Sequence, residues 1–186
     1  MLRKRRILST IIIVLMVASV GGFFAGQSGQ QKLKYNDITF TQLASGQFQA
    51  EIEGTVKTFD FYPTYVEKIE TDPAAIEYLK GAYQLGLSQQ VNSTLAPAIA
   101  LAQLSLNEEF TKKGIVVQNG FTAANDYNQP ILLCANAQEK YPILLIKEGN
   151  QTKISTEGYC IVAEAVSQTD VLVIKDRLLY GIYGII

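Results

Sequence analysis

Residues 83–117 read YQLGLSQQVNSTLAPAIALAQLSLNEEFTKKGIVV, and this stretch decides the fold class. Alternating apolar residues predict a strand over 83–88. The spacing that follows predicts a helix that begins at the capping triplet Asn92-Ser93-Thr94 and ends before Gly114. A short apolar strand over 115–117 comes next. Strand, helix and strand in this order form a right-handed crossover between parallel strands, so we expect an α/β domain.

The part of the chain before this crossover alternates between apolar and polar residues, which is the period of half-buried strands. Asp72 followed by Pro73 is typical of a helix start, and we expect a helix over 73–80. In the strand that follows this helix, Tyr83, Leu85 and Leu87 share one face. The earlier strands are predicted over 38–41, 47–52 and 56–62, the last of them ended by Pro63.

The C-terminal part predicts further strands and a final helix. An apolar strand over 131–134 is expected first, and the next three strands form a meander with turns at 148–150 and 157–158. Ser167 caps a helix over 168–183 that docks on the sheet, and we expect the apolar residues 181–186 to dock there too. An exposed apolar tail is the alternative. The meander strands are predicted over 141–146, 152–156 and 159–165.

An uncharged apolar run over residues 7–26 stands directly behind a basic cluster. Twenty helical residues span about 30 Å, the thickness of the hydrocarbon core of a bilayer. Because basic residues stay on the cytoplasmic side, the run predicts a single-pass membrane protein whose domain is extracytoplasmic. The predicted segments are a cytoplasmic tail (1–6), a transmembrane anchor (7–26), a polar spacer (27–34) and one mixed-sheet α/β domain (35–186) with its C-terminal helix docked on the sheet. The basic cluster consists of Arg3, Lys4, Arg5 and Arg6.

A cleaved secretory signal is the alternative, since small residues around Gly21, Gly22 and Ala25 offer weak cleavage sites. Both interpretations export the domain. Four of the 16 Lys and Arg residues lie in residues 1–6, whereas all 17 Asp and Glu residues lie beyond residue 30, so the remainder carries 12 bases and 17 acids. An acidic domain cannot readily neutralise phosphates, and we expect no nucleic-acid partner.

Catalytic signals are weak throughout the chain. The absence of histidine excludes Ser-His-Asp and Cys-His catalysis as well as histidine-ligated metals. The acidic pairs Glu108-Glu109 and Glu67 with Glu70 are predicted to be solvated, and residues 125–128 (NDYN) are predicted to form a turn, not a calcium loop. We therefore predict no catalytic, cofactor-binding or metal-binding residue, and no cleft in which several titratable groups have strongly shifted pKa values.

The aromatic residues allow two interpretations. The chain has 10 Tyr and 8 Phe but no Trp, and most of them alternate along predicted strands. Packing in the core is therefore the expected role of these side chains. A groove for carbohydrate or peptide is the alternative.

Two covalent modifications are predicted from the export of the domain. Cys134 and Cys160 are the only cysteines, and an even number of cysteines outside the cytoplasm is usually paired, so we expect a disulfide. Two buried reduced cysteines are the alternative. Asn92 and Asn150 begin Asn-x-Ser/Thr triplets in predicted turns, and they are glycosylation candidates in a host that uses this modification.

The C-terminal half carries one resemblance. The succession PILLCANA (130–137), YPILLIKEGNQT (141–152), GYCI (158–161) and DRLLYG (176–181) resembles a group of short archaeal membrane-anchored proteins of unassigned function. The resemblance covers residues 115–186. It implies an archaeal cell envelope and a disulfide between Cys134 and Cys160, but it implies no mechanism.

These observations together predict a structural or interaction module of the cell envelope, with a protein partner or self-association at the cell surface. The sequence favours a role other than catalysis. Two alternatives remain open: an envelope-acting hydrolase or an accessory subunit of one, and a subunit of a surface filament.

Overall fold

A computed structural model describes residues 31–186, which form a mixed α/β fold with two sheets. The small sheet has four antiparallel strands that are neighbours in chain order. Its strands are β1 (Lys32–Tyr35), β2 (Ile38–Gln42), β3 (Phe48–Ile52) and β4 (Thr55–Phe59).

The large sheet has six strands in the order β5-β9-β10-β8-β6-β7. All neighbouring strands in it are parallel except the antiparallel pair β9 and β10. Its strands are β5 (Glu70–Thr71), β6 (Gln84–Gln89), β7 (Val116–Phe121), β8 (Ile143–Glu148), β9 (Lys153–Glu157) and β10 (Cys160–Ala165).

Four α-helices accompany the sheets within residues 31–186, and two of them have the predicted caps. Asp72 accepts a hydrogen bond from the Ala74 N–H, and Ser167 Oγ accepts one from the Asp170 N–H. These bonds satisfy donors that the first turn of a helix leaves free. The helices are α1 (Pro63–Val66), α2 (Pro73–Gly81), α3 (Ala96–Lys112) and α4 (Gln168–Ile182).

The predicted crossover is confirmed. Strand β6, helix α3 and strand β7 follow one another, and the two strands pair in parallel with Leu85 opposite Val117. Gly114 ends the helix with φ +80°, a left-handed conformation that glycine adopts without steric cost.

Helix α4 forms the centre of the molecule. Ten of its fifteen residues are buried, so it is covered on both sides. Phe40 and Phe59 of the small sheet pack on Tyr180, and the Phe59 and Tyr180 rings stack with centroids 4.2 Å apart. Strand β10 of the large sheet packs on the opposite side of the helix. The C-terminal helix is therefore packed on the sheet as predicted, and buried Ile182 and Ile185 confirm that the chain end docks.

The other face of the large sheet is covered by residues 122–142, which we call the strap. Leu132 of the strap packs on Ile143, Cys160 and Val162 in a second apolar cluster. A Cβ atom at Gly120 would lie 2.5 Å from the Pro130 carbonyl oxygen, so only glycine allows this approach.

The predictions about the sheets are confirmed only in part. The predicted mixed sheet is present as the six-stranded sheet, but the N-terminal strands form a second, antiparallel sheet, because α3 and α4 lie between β4 and the large sheet. The predicted meander does not form, since β8 pairs with β10 in parallel and β9 pairs only with β10 and β5. The physical reason is burial: β8 and β10 have buried residues on both faces and take central places, whereas β9 is more exposed.

Smaller corrections concern segment boundaries. Strand β1 begins at Lys32, inside the predicted spacer over 27–34. Cys134 does not end a strand but opens a 3-10 turn, Cys134–Asn136, within the strap. The apolar run over 7–26 lies outside the described residues. Among residues 31–186, no helix has the length and apolar character that a membrane crossing requires.

Candidate recognition groove

The cysteines form a disulfide. Cys134 and Cys160 are bonded, with their Cα atoms 5.0 Å apart, which confirms the expected pairing. Cys160 begins β10 and is fully buried, whereas Cys134 lies in the strap. The bond therefore fastens the strap to the centre of the large sheet.

The carboxyl edge of the large sheet is occupied by the chain's own carboxylate. Ser93 Oγ, Thr94 Oγ1 and the Thr94 N–H all donate to Glu148 Oε1, the two hydroxyls at 2.9 and 3.0 Å. These bonds hold the pKa of Glu148 below its usual range. Ligands of open α/β sheets usually bind at this edge, beside a helix start such as that of α3. Here Glu148 takes the position that a bound anion would have.

This arrangement corrects the predicted helix cap. Asn92-Ser93-Thr94 does not cap α3, because two of its side chains bind Glu148 and the helix begins at Ala96. Asn92 and Asn150 lie in exposed turns after β6 and β8, as expected. Glycan attachment at these two residues stays a prediction.

Residues 125–128 form the predicted turn. Asn125 Oδ1 accepts the N–H groups of Tyr127 and Gln129 at 3.0 and 3.2 Å. Asn128 has φ +53°, the left-handed conformation that asparagine tolerates in turns. Asn125 therefore directs its side-chain oxygen to the backbone of the turn.

The prediction that Glu109 is solvated is wrong. Glu109 lies in a cluster between α3 and the small sheet. Its side chain is 15 % exposed and accepts hydrogen bonds from Lys57 of β4, from Tyr183 and from Lys112, the last at 3.0 Å. Burial alone would raise the pKa of Glu109, but these donors outweigh burial and lower the pKa to about 2. The neighbouring Glu108 is solvated as expected, with a side chain 65 % exposed. Glu67 and Glu70 are exposed too.

Glu109→Gln is expected to lower the free energy of unfolding by about 3 kcal/mol at pH 7, because Lys57 loses its buried partner. A carboxyl group with a lowered pKa stabilises the fold above its unfolded pKa near 4.5, and this contribution is lost as the pH falls toward 2. Urea unfolding of the native chain and of Glu109→Gln is measured at pH 7, 4.5, 3 and 2. The difference between their free energies of unfolding should become smaller as the pH falls.

Glu108→Gln is the matched control for this experiment, and its effect should stay within about 0.5 kcal/mol at every pH. A Glu109→Gln difference that is the same at pH 7 and pH 2 would show that the ion pair with Lys57 does not stabilise the fold.

A second cluster joins α4 to the end of β4. Asp176 Oδ2 accepts the N–H groups of Asp60 and Phe61 at 2.7 and 2.8 Å, and Lys175 Nζ lies 2.8 Å from Asp176 Oδ1. Lys175 also donates to Asp60 at 2.7 Å. Burial raises the pKa of Asp176 to about 6, although these partners favour its charged form. Asp60, Lys175 and Asp176 thus form a group of titratable side chains with shifted pKa values. This group lies in the contact between the small sheet and the helices.

Two cavities open at the opposite, amino edge of the large sheet, beside the C-terminal end of α2. The larger has a volume of about 590 Å³ and is bordered by Lys80, Tyr83, Lys112 and Lys113. The smaller has a volume of about 330 Å³ and is bordered by Glu77, Tyr78, Gly81, Glu139, Lys140 and Tyr159. Lys140 Nζ lies 5.5 Å from the centre of the Tyr83 ring, so this pair stands between the cavities. We call the two cavities, with Tyr78, Tyr83, Tyr159 and Lys140, the tyrosine groove.

The main chain at Tyr83 is held by hydrogen bonds, although the residue is 71 % exposed. The Tyr83 N–H donates to the Lys140 carbonyl at 3.0 Å, and the Tyr83 carbonyl accepts from the Val116 N–H at 3.1 Å. Tyr78 and Tyr159 support each other edge to face, with ring centroids 5.2 Å apart. The backbone of Tyr83 and the paired rings of Tyr78 and Tyr159 are therefore held in place, which lowers the entropy lost when a ligand is bound.

The charges of the groove are of both signs. Lys112 pairs with Glu108 and Glu109, and Lys113 pairs with Glu53 at 3.0 Å. Lys140 lies 3.8 Å from Glu139. Within residues 31–186, Glu77 and Lys80 form no ion pair. The groove thus combines aromatic rings with free hydrogen-bond donors and acceptors and has little net charge.

The sequence did not predict this groove. The alternation of Tyr83 with Leu85 and Leu87 placed the tyrosine toward the core, yet both leucines are fully buried and Tyr83 is not. Tyr83 precedes the first residue of β6, and the sheet ends there. The prediction of aromatic core packing is confirmed for Phe40, Phe59 and Phe110.

Comparison of the chain with family models, with curated proteins and with solved structures found no match.

Proposed function

We propose that this chain is a membrane-anchored extracytoplasmic interaction module of the cell envelope, and that the tyrosine groove is its recognition surface. The apolar run over 7–26 and the basic residues before it support the anchor and its orientation. The observation that carries the recognition role is the exposed Tyr83, hydrogen-bonded at its backbone, between two open cavities. Tyrosine is enriched at recognition sites because it offers a large contact area with a polar tip and few rotatable bonds.

The carboxylates outside the groove support a binding role. Those of Glu109, Asp176 and Glu148 all accept hydrogen bonds from donors of the same chain. These bonds contribute to the stability of the domain. Glu77 and Lys80 of the tyrosine groove, in contrast, form no ion pair within residues 31–186 and are available to a ligand.

Location is tested with the full chain carrying a tag at each terminus. The chain should stay in the membrane fraction after a carbonate wash. Protease added to intact cells should remove the C-terminal tag and leave the N-terminal tag intact. A soluble mature chain that begins near residue 26 would contradict the anchor, and a protected C-terminal tag would contradict the orientation.

Recognition is tested by co-sedimentation of the purified full chain with envelopes of its own host. We expect the double substitution Tyr83→Ala with Tyr159→Ala to weaken binding by about tenfold or more, since each aromatic contact contributes roughly 1 kcal/mol. Tyr127→Ala is the matched control, because Tyr127 is 70 % exposed but lies at the opposite edge of the sheet. Equal sedimentation of the groove variant and the native chain would contradict the proposed surface.

A further inference from the structure

We propose that the ligand of the tyrosine groove is an envelope oligosaccharide without strong net charge, which rests on the proposed function of the groove. Pyranose rings have one face of C–H groups and an edge of hydroxyls. The C–H face stacks on the negative face of an aromatic ring, and the hydroxyls act as both donors and acceptors. A groove for such a ligand therefore needs exposed aromatic rings next to polar groups of both kinds.

The aromatic component is the set of three tyrosines. Tyr83 is 71 % exposed and its backbone is hydrogen-bonded, whereas Tyr159 is 39 % exposed and its ring packs on that of Tyr78. Tyr83 borders the larger cavity, whereas Tyr78 and Tyr159 border the smaller one. Each cavity thus has its own aromatic surface, as two successive sugar rings of one oligosaccharide would require.

The polar component favours a hydroxyl-rich ligand over an anion. Glu77 and Glu139 supply acceptors to the smaller cavity, and Lys80 and Lys140 supply donors to the two cavities. The two linings together hold four lysines and three glutamates, and Lys112 and Lys113 are already paired with glutamates. The net charge is therefore small, and neither a polyanion nor a polycation gains much from long-range attraction. A neutral ligand with many hydroxyls can satisfy both kinds of group.

The size and the floor of the groove argue against a peptide. Volumes of about 590 and 330 Å³ lie in the range of small-molecule sites, and each can hold at least one sugar ring. The apolar residues beneath the larger cavity, Leu79, Ala82, Ile115 and Ile182, are each at most 9 % exposed. An apolar side chain of a peptide would find little apolar surface there besides the tyrosine rings.

The test separates a glycan from a protein on the envelope. Envelopes are treated either with periodate, which cleaves vicinal diols of sugars, or with proteinase K, and each reagent is quenched and washed away before the full chain is added. We expect periodate to reduce co-sedimentation by about tenfold, to the level of the Tyr83→Ala, Tyr159→Ala variant. Envelopes exposed to periodate that was quenched beforehand should bind fully.

Sugars that are 1,3-linked or N-acetylated can lack vicinal diols, so periodate is combined with competition by soluble hexasaccharides. Binding that survives periodate and that neither cellohexaose nor chitohexaose displaces overturns the oligosaccharide proposal, and its loss after proteinase K alone would then identify a protein partner. In that case the proposed function stands, because the native chain still binds untreated envelopes more strongly than the Tyr83→Ala, Tyr159→Ala variant. If the native chain and the groove variant sediment equally with untreated envelopes, the proposed function itself fails.

Soluble probes give a second readout. Because the chain has no tryptophan, its intrinsic fluorescence comes from tyrosine. Cellohexaose, whose rings have vicinal diols, and chitohexaose, whose internal rings have none, are titrated as competitors into the co-sedimentation assay and separately into the purified full chain. We expect at least one of them to displace the chain from envelopes and to change the tyrosine emission, with Tyr127→Ala behaving as the native chain. If periodate sensitivity is present but Tyr83→Ala, Tyr159→Ala binds the envelope as well as the native chain, the glycan site lies elsewhere and the proposal is wrong.

Discussion

Asp176→Ala is expected to lower the free energy of unfolding by about 3–5 kcal/mol, the largest effect of a single substitution in this domain. Asp176 is fully buried, and its removal leaves the N–H groups of Asp60 and Phe61 without an acceptor. Lys175 loses one of its two carboxylate partners at the same time. Urea unfolding at pH 7, followed by far-UV circular dichroism, measures the change.

Asp176→Asn is the matched comparison, because it keeps the shape and one acceptor oxygen but removes the charge. The free energy of unfolding of Asp176→Asn should lie between that of the native chain and that of Asp176→Ala. Thr169→Ala serves as the exposed control on the same helix. A loss for Asp176→Ala no larger than for a surface substitution, within about 0.5 kcal/mol, would show that the link between α4 and β4 is dispensable.

Loss of the disulfide is expected to lower the free energy of unfolding by about 3 kcal/mol, the value for a loop of this size in the chain-entropy model. Cys134 and Cys160 are 26 residues apart in the chain. The double substitution Cys134→Ser with Cys160→Ser removes the bond without leaving a free thiol. Limited proteolysis of this variant should cleave first within residues 122–142, because the strap is no longer fastened to β10.

The native chain treated with a reductant should match the double variant in unfolding and in cleavage sites. Non-reducing mass spectrometry of freshly exported protein checks the premise, and two free thiols would contradict it. Cleavage outside the strap before cleavage inside it would show that the bond stabilises a different part of the domain.

Local signals in the sequence predicted those elements whose partners lie close in the chain. Asp72 and Ser167 each accept a bond from two or three residues further on, and both helices begin where their caps predict. The β6-α3-β7 crossover is also local, and its strands pair as expected. Short-range hydrogen bonds and hydrophobic periodicity are sufficient for these features.

Features that depend on distant partners could not be predicted in this way. Thr94 is a good capping residue, but Glu148, 54 residues away, takes its hydroxyl. Glu109 resembles Glu108 in the sequence, and only the approach of Lys57, 52 residues away, distinguishes them. The tyrosine groove combines residues of α2, the strap and the β9–β10 turn, and no local pattern joins these segments.

The position of α4 between the two sheets governs when the domain can form. It follows every other described element in the chain, and yet Tyr180 packs on the small sheet while the same helix packs on β10. Neither sheet can therefore complete its core until the last fifteen-residue element has been synthesised. A chain that lacks these residues is left without the layer that joins the two sheets, so the two halves of the core form together only when α4 is available to both.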